Sequence, residues 1–258
     1  MIQIKTPKQI EGIRAACKVV AQVHKRVQQR LEPGLSTYQI DNVVKHTLRE
    51  LKAKSAFLKY RQGNRPPFPA NSCICVNEEI VHGIGKHDRI IKEGDIVTID
   101  VGVVLERYYG DAAFTIIIGK GSEEVERLVR DTKQVLYAAI DMSRPGVFIH
   151  DISQFINDFA KQRNYGVVTD YYGHGVGLKL HEPPQIPNFR PVPGDIHLPN
   201  VKLQPGMTIT YEPMFTLGCG KTEELYDQWT VVTQDGSLSA HWEHTILITE
   251  NGVEILTL

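Results

Sequence analysis

The segment Glu93-Gly94-Asp95-Ile96-Val97-Thr98-Ile99-Asp100 recurs 112 residues later as Pro205-Gly206-Met207-Thr208-Ile209-Thr210-Tyr211-Glu212. One glycine, one threonine and the closing carboxylate stand at the same offsets in both copies. Upstream, the pairs Pro33-Gly34 and Pro145-Gly146 repeat the same spacing. A duplication of this kind places two carboxylates around a pseudo-twofold axis, where they repel each other unless cations lie between them. The repeat therefore predicts two related halves that share a metal site.

Length and composition are those of an ordinary globular protein. With 258 residues, of which 41% are hydrophobic and 23% charged, the chain can bury a large core. The formal net charge of −1 gives no electrostatic reason to expect a nucleic-acid or membrane partner. No apolar run approaches the ~20 residues of a membrane span, and the N-terminus has no signal-peptide pattern. The four cysteines fit neither a disulfide framework nor a zinc motif, which predicts reduced thiols in a cytoplasmic protein.

Hydrophobic periodicity divides the chain into helical and extended segments. Helical spacing predicts four helices, over residues 7–31, 37–51, 123–142 and 151–163. Thr6, Ser36 or Thr37, and Ser122 are the expected N-caps, and each Pro-Gly pair separates the two helices of one half. Because no low-complexity linker interrupts the chain, we expect one catalytic domain spanning residues 1–258, built from α/β halves of about 1–120 and 121–258.

Alternating and β-branched residues predict strands over 96–104, 113–118, 208–215, 229–233 and 239–249. If a turn centres near Leu105 and Glu106, Asp100 and Asp111 face each other on one side of a hairpin. The proline-rich stretch 183–199 is predicted to be a long loop. In the last strand, period-two spacing predicts one shared face for Ser239, His241, Glu243 and Thr245.

Four carboxylates on predicted strands are the main chemical candidates: Asp100, Asp111, Glu212 and Glu243. A lone acid on a strand is usually solvated, but Asp100 lies in an apolar run where an unpaired carboxylate is costly to bury. With one imidazole, the four acids carry a charge of −4, which two divalent cations would neutralise. An oxygen-rich set of this kind suits Mn, Fe(II) or Co at least as well as zinc.

Three histidines lie in or near glycine-rich segments. His174 belongs to Gly173-His174-Gly175-Val176-Gly177, His181 follows seven residues later, and His82 begins His82-Gly83-Ile84-Gly85. Because the glycines argue against a helix, we expect His174 and His181 on neighbouring strands or in a tight turn that lines one cavity. A phosphate-binding loop is the alternative, but its strand–loop–helix context is missing. For His82 and His181, the alternative is a structural histidine near the core.

Together these motifs resemble the type I methionine aminopeptidases of the creatinase or pita-bread fold, over essentially the whole chain. The resemblance rests on Phe68-Pro69-Ala70-Asn71-Ser72, Val76-Asn77-Glu78, His82-Gly83, Ile99-Asp100-Val101-Gly102, Gly110-Asp111, Gly173-His174-Gly175-Val176-Gly177, His181-Glu182, Thr210-Tyr211-Glu212-Pro213 and Glu243-His244-Thr245. It implies an α/β fold of two pseudo-symmetric halves around a central antiparallel sheet.

The resemblance also implies roles for individual residues. Two divalent ions (Co, Mn, Fe(II) or Zn) would be held by Asp100, Asp111, His174, Glu212 and Glu243. Glu212 would take the proton of the attacking water, while His82 and His181 would orient the scissile amide and stabilise developing charge. The methionine pocket would be lined by Phe68, Cys73 and Trp229. A monovalent cation, Na or K, would be held with the help of Asn77 and Ser239.

Departures from the family pattern concern the methionine pocket. Leu180 replaces an aromatic residue that often precedes the histidine matching His181. Gln62 and Arg65 replace pocket residues seen in some members, and the loop 192–201 is longer than usual. These differences affect the expected shape of the pocket, whereas the expected metal ligands are all present.

The implied activity is removal of N-terminal methionine from nascent polypeptides when the second residue is small. The implied partners are nascent N-termini near the ribosome, and the implied state is a monomer. A proline-specific aminopeptidase or prolidase is the nearest rival, but such proteins usually carry a further N-terminal domain. A non-catalytic binding module would have lost ligands, and a metal-free lyase of the creatinase type has no reason to keep five of them.

Overall fold

The computed structural model describes residues 2–192 and 194–258. Two residues lie outside the described residues. They are Met1, in the N-terminal segment that was considered as a signal peptide, and Pro193, in the predicted loop 183–199. In the described part, the helices are α1 (Pro7–Gln28), α2 (Thr37–Glu50), α3 (Glu123–Met142) and α4 (Ile149–Lys161). None of these helices is long and apolar enough to cross a lipid bilayer.

Polar caps fix where three of the helices begin, as the sequence predicts. Thr6 and Ser36 each form a capping box with the glutamine three residues later, and Ser122 accepts a backbone N–H of α3. The helix α1 ends at Gln28 rather than residue 31, because the next backbone N–H groups close a turn onto Val27. The helix α4 begins two residues before the predicted residue 151, and its N-cap Phe148 offers no polar side chain that would have marked this start.

The described strands pair only in antiparallel fashion, and all but β4 and β5 are short. They are β1 (Lys54–Ser55), β2 (Cys73–Val76), β3 (Glu79–Val81), β4 (Ile96–Leu105), β5 (Tyr108–Ile117), β6 (Gly166–Val167), β7 (Gly173–Gly175), β8 (Glu182–Ile186), β9 (Thr208–Tyr211), β10 (Met214–Thr216), β11 (Thr222–Glu224), β12 (Val231–Thr233), β13 (Ser239–His241), β14 (His244–Thr249) and β15 (Gly252–Ile255). Hydrogen bonds group them into sheets of order β1-β4-β2 with β5 on β4, β13-β10-β6, β11-β12-β3 and β15-β14-β9-β7-β8.

The 112-residue repeat is visible in the backbone. The N–H of Gly34 donates to Ile91 and, at the same offset, the N–H of Gly146 donates to Leu203, both at 2.9 Å. Both glycines have a positive φ, of 96° and 91°, which favours glycine at this turn. The bridges Ser36–Ile90 and Phe148–Lys202 are also 112 residues apart. The two halves therefore repeat one turn-and-helix arrangement, while their grouping into a single domain stays a prediction.

Two predicted strands are interrupted where the sequence suggests continuity. The segment 208–215 breaks into β9 and β10 at Glu212 and Pro213, because proline has no N–H to donate to a ladder. The segment 239–249 breaks into β13 and β14 at Trp242 and Glu243. The predicted loop 183–199 is also wrong in its first part, where β8 pairs with β7 at the edge of a sheet, a place that tolerates proline.

The β4–β5 hairpin brings Asp100 and Asp111 to one face but not directly opposite each other. Asp100 pairs with Ala113, and Asp111 pairs with Gly102. The turn lies at Glu106 and Arg107, one residue beyond the predicted centre, and β5 begins at Tyr108 rather than at residue 113. The two aspartates are therefore diagonal neighbours on one face of the hairpin.

The two largest apolar clusters each centre on one half of the chain. One packs α3 and α4 against strands of the second half, with Leu136, Ile152 and Phe215 fully buried. The other packs α1 and α2 against β4 and β5. Trp242 contacts both clusters, and the backbones of Ala113 and Glu243 exchange two hydrogen bonds of 3.3 and 2.9 Å. The break at Glu243 thus lies where the sheets of the two halves meet.

Candidate active site

A cavity of about 930 Å³ opens between the two halves. Its walls include all five expected metal ligands: Asp100, Asp111, His174, Glu212 and Glu243. They also include the expected substrate-contacting and pocket residues His82, His181, Phe68, Cys73 and Trp229. Asn77 and Ser239 are not among the described residues of the wall. The structure therefore gathers ten of the twelve expected site residues around one space.

The strand breaks explain how distant residues reach this cavity. Asp100 and Asp111 project from the β4–β5 hairpin, and His174 from β7. Glu212 lies in the gap between β9 and β10, and Glu243 in the gap between β13 and β14. Because each glutamate interrupts its strand, its side chain is free of the strict alternation of a regular strand.

Asp111, His174 and Glu243 form the tightest part of the site. Each is buried, and each offers a ligand atom within 4.8 Å of the others. His174 Nε2 lies 3.9 Å from Asp111 Oδ2 and 3.7 Å from Glu212 Oε1. The other ring nitrogen, Nδ1, is 2.9 Å from the carbonyl oxygen of Gly175, which can only accept a hydrogen bond. Nδ1 therefore carries the proton and the Nε2 lone pair faces the carboxylates, as in a metal-binding histidine.

The electrostatics of the site fit a cation. Asp100 Oδ1, Asp111 Oδ1 and Glu243 Oε1 are buried and have no hydrogen-bond partner among the described residues. Desolvation raises the pKa of all four carboxyl groups, and carboxylate repulsion raises the pKa further for Asp100, Glu212 and Glu243. Burial lowers the pKa of His174 to about 3, so its imidazole is neutral at pH 7. A set of four oxygen donors and one neutral nitrogen suits divalent metal ions.

We expect metal binding to strengthen as the pH rises. Desolvation raises the pKa of Asp111 to about 7 and that of Glu212 to about 8, so both retain protons in the metal-free site near neutrality. Because a ligand carboxylate must lose its proton, affinity rises as the pH rises through these values, and binding near pH 6.5 releases protons. Titration calorimetry of Mn²⁺ in buffers of different ionisation enthalpy measures this release, and a pH-independent affinity would contradict it.

Several residues around the ligands escaped the sequence analysis as site residues. Thr210 Oγ1 donates to Glu212 Oε1 at 3.3 Å and accepts the backbone N–H of His174 at 3.1 Å. Asn188 donates to the carbonyl oxygen of Glu212 at 2.9 Å. His241 is buried with Nε2 4.0 Å from Glu212 Oε2. The sequence could have indicated His241 as a site residue, because it shares the predicted strand face with Glu243. Asn188 lies in the predicted loop, and nothing in the sequence marked it as a site residue.

His181 lies beside His174, with ring centroids 4.4 Å apart. His174 belongs to β7, and His181 immediately precedes β8, which confirms the prediction of neighbouring elements around one cavity. Tyr60, which the sequence analysis did not single out, places its hydroxyl 2.7 Å from His181 Nδ1. His82 lies across the cavity beside Trp229, with ring centroids 6.1 Å apart.

An apolar pocket adjoins the polar wall. Its buried members include Phe57, Phe68, Cys73, Leu180 and Trp229. Leu180, the departure from the family's aromatic residue, is therefore part of this wall. Trp229 is fixed by a 2.9 Å hydrogen bond from its indole N–H to the carbonyl oxygen of Pro66.

Arg65 and Gln62 lie at the edge of this pocket. The guanidinium of Arg65 is 5.5 Å from the ring centre of Trp229 and pairs with Glu224. Gln62 accepts a 3.2 Å hydrogen bond from Arg65 and lines the cavity. Arg65 thus contacts the outer side of Trp229, whereas Gln62 borders the open space.

Asn77 and Ser239 lie together, away from the carboxylates. Ser239 Oγ is within 3.1 Å of the carbonyl oxygen of Asn77 and 3.0 Å of that of Glu79. The Asn77 side chain is already bonded to Asp95 and to the backbone of Ile96. The carbonyl oxygens of Asn77 and Glu79 and the hydroxyl oxygen of Ser239 are therefore the atoms that could contact a cation at this place.

A family model and individual relatives assign this chain to the same protein family. The model of metallopeptidase family M24 matches residues 11–250. A methionine aminopeptidase of Aquifex aeolicus is 42% identical over 99% of this chain and 98% of its own. The Escherichia coli K12 methionine aminopeptidase is 40% identical, with 100% of this chain and 94% of its own covered.

Solved structures similar to this chain belong to the same family or share its fold. The crystal structure of a Thermotoga maritima methionine aminopeptidase superposes with a TM-score of 0.93 at 44% identity and covers 100% and 99% of the two chains. A prolidase of Pyrococcus horikoshii shares the fold at a TM-score of 0.77 and 23% identity, but this chain covers only 63% of it. The predicted pita-bread fold is confirmed, and the prolidase likeness extends to the fold alone.

Proposed function

The chain belongs to metallopeptidase family M24 and, within it, to the methionine aminopeptidases, and from this premise we propose how its site works. The chain is a metal-dependent hydrolase that removes N-terminal methionine. The finer proposal is that it acts on nascent polypeptides whose second residue is small. The observation that supports metal-dependent removal of methionine is the meeting of four carboxylates and His174 in one cavity beside an apolar pocket.

Two divalent cations would be held by Asp100, Asp111, His174, Glu212 and Glu243. The unpaired buried oxygens and the neutral Nε2 of His174 support this assignment. When bound, the cations supply Lewis-acid activation of water and of the scissile carbonyl. Co, Mn, Fe(II) and Zn all suit the donor set, and the set does not distinguish among them.

Glu212 would accept the proton of the attacking water and return it to the leaving amine. Its carboxyl group is partly exposed to the cavity, with Oε1 3.7 Å from His174 Nε2, so it borders the space that the attacking water would occupy. A proton acceptor must lie within hydrogen-bond reach of the proton it takes. Thr210 and His241 border the two oxygens of this carboxyl group and limit its rotation.

His82 and His181 would orient the scissile amide and stabilise developing charge on its oxygen. If the hydroxyl of Tyr60 donates to His181 Nδ1, the proton of that imidazole lies on Nε2, which is then a donor toward the substrate. The methionine side chain would occupy the apolar pocket that includes Phe68, Cys73 and Trp229. A flexible thioether fills such an irregular pocket well.

Further parts of the proposal rest on the family resemblance. These are the small second residue, a monovalent cation (Na or K) near Asn77 and Ser239, a monomeric state, a cytoplasmic location and transient proximity to the ribosome. The clustered carbonyl and hydroxyl oxygens support the cation, and the nascent substrate supports the location. The resemblance gives no reason to expect a nucleic-acid or membrane partner.

The proposal is tested with the peptides Met-Ala-Ser, Met-Leu-Ser and Ala-Pro-Ser. The protein is stripped with chelator and then titrated with Mn²⁺, Fe²⁺, Co²⁺ or Zn²⁺. We expect metal-dependent release of methionine from Met-Ala-Ser only. Cleavage of Ala-Pro-Ser would reassign the activity to the proline-specific neighbours. Equal cleavage of Met-Leu-Ser would remove the small-residue requirement.

A further inference from the structure

A buried ion pair connects the N-terminal segment to the cavity wall. Lys5 Nζ lies 2.6 Å from Glu182 Oε2, and the two side chains are only 2% and 4% exposed. Glu182 borders the cavity and directly follows His181. Lys5 itself is anchored, because its backbone N–H donates to the carbonyl oxygen of Gly206 at 2.9 Å.

The second oxygen of Glu182 holds a turn. Oε1 accepts the backbone N–H groups of Leu178 and Lys179, at 2.6 and 2.8 Å. The carboxylate therefore closes residues 178–182 on themselves, while Lys5 fixes it from the other side. Each oxygen has a strong partner, which a buried carboxylate requires.

This turn carries two residues of the proposed site. It joins β7, which bears His174, to β8, and it presents Leu180 to the apolar pocket and His181 to the cavity. It also lies tightly against α1 and Lys5. A Cβ added to Gly177 would come within 2.4 Å of Ile13 and 3.1 Å of Lys5, at a φ of 144° that favours glycine.

A stabilising role alone does not account for this pair. Buried ion pairs contribute little net stability, because desolvating two charges offsets their attraction, and apolar replacements of similar volume are often as stable. The distinguishing feature here is geometric, since one carboxylate links the N-terminal segment to two amides of the turn before His181. Directional contacts of this kind specify a conformation.

We propose that Glu182, held by Lys5, is the positioning residue for His181 and Leu180. The carboxylate fixes the turn, the turn aims the imidazole of His181 at the scissile amide, and Lys5 compensates the buried charge of that carboxylate. This inference rests on the proposed function, because it assigns the place of a group that would contact substrate. Its effect should fall on kcat, since a misplaced catalytic group weakens the transition state more than substrate binding.

Two double variants separate the turn's hydrogen bonds from the buried charge. Lys5→Met/Glu182→Leu removes both charges and the acceptor for the two amides. We expect kcat for Met-Ala-Ser to fall at least about 20-fold per metal-loaded protein, with KM within about three-fold. Lys5→Met/Glu182→Gln restores an oxygen acceptor without charge and should recover most of that loss. Bound metal per chain should match the unmutated protein in both variants.

The outcomes are distinct. If the unmutated protein releases no methionine with any metal, the proposed function fails. If it is active and the leucine variant keeps kcat within about three-fold, or the glutamine variant falls as far as the leucine variant, the positioning role is overturned. The control is Arg14→Met/Glu254→Gln, which removes another ion pair of α1 and should leave kcat unchanged.

Amide hydrogen exchange of the unmutated protein tests the same role without any variant. The N–H groups of Leu178 and Lys179 should exchange as slowly as those of β9, because both donate to a carboxylate that is itself held in the interior. Rapid exchange at these two amides would overturn the proposal even if a variant failed to fold.

Discussion

Replacing Asp111 by asparagine is expected to abolish methionine release, with kcat/KM falling at least about 10³-fold. Asp111 is buried at the centre of the site, and its ligand atom lies within 4.8 Å of those of His174 and Glu243. Asparagine keeps the shape but offers a neutral oxygen. Metal content should therefore fall along with activity. Steady-state hydrolysis of Met-Ala-Ser and metal analysis after dialysis measure both.

The same change should stabilise the metal-free protein at alkaline pH. Desolvation raises the pKa of Asp111 in the folded state to about 7, so the stability its protonated form contributes is lost as the pH rises through that value. Asparagine does not ionise. Urea unfolding in chelator should thus favour the variant increasingly as the pH rises from about 4 to 8, with a larger difference at pH 8 than at pH 5.

The matched control is Asp151→Asn, an exposed aspartate of α4. It should leave activity and metal content unchanged. An Asp111→Asn protein with normal metal content and normal kcat/KM would remove Asp111 from the metal site.

Glu212→Gln is expected to lower kcat by about 10²–10⁴-fold while KM changes little, because proton transfer from water is lost but the methionine pocket is intact. Glu212 lies in the break between β9 and β10, with its carboxyl oxygens near Thr210 and His174. Asp111, His174 and Glu243 remain, so part of the metal should stay bound. Single-turnover kinetics with metal analysis separates the two effects.

The control for Glu212 is Glu223→Gln, an exposed glutamate of β11 that should keep full activity. Glu212→Gln with kcat within ten-fold of the unmutated protein would exclude Glu212 as the proton acceptor. Complete loss of metal from that variant would instead assign it chiefly a ligand role.

Local signals predicted the helices and the repeat well. Thr6, Ser36 and Ser122 cap helices where the sequence placed them, because a capping residue and its partners lie within one turn. The start of α4 at Ile149 has no polar cap to mark it. The repeat could have predicted it, because Ile149 lies 112 residues after Thr37, the first residue of α2.

Strand ends were harder to predict because they depend on distant partners. The register of the β4–β5 hairpin, set by its turn at Glu106 and Arg107, decides which residues face Asp100. The breaks at Glu212 and Glu243 occur where strands pass from one sheet to another. The strand β8, with Pro183 and Pro184, forms only because β7 provides a partner at a sheet edge.

In the site too, residues marked by local sequence were predictable, and residues brought in by distant contacts were not. Its acidic residues and His174 were predictable as unusual residue types in apolar or glycine-rich segments. Tyr60 and Asn188 gave no comparable signal, since their relation to the site is purely spatial, and His241 was marked only by its place on the face predicted for Glu243. The ion pair between Lys5 and Glu182 spans 177 residues and was likewise invisible in the sequence.

Anomalous diffraction from crystals of active, Mn²⁺-reconstituted protein tests the central claim most directly. The account predicts two metal peaks about 3.5–4 Å apart, ligated by Asp100, Asp111, His174, Glu212 and Glu243. Active protein whose metal lies elsewhere, or whose metal is not bound by Asp111, His174 and Glu243, would contradict it.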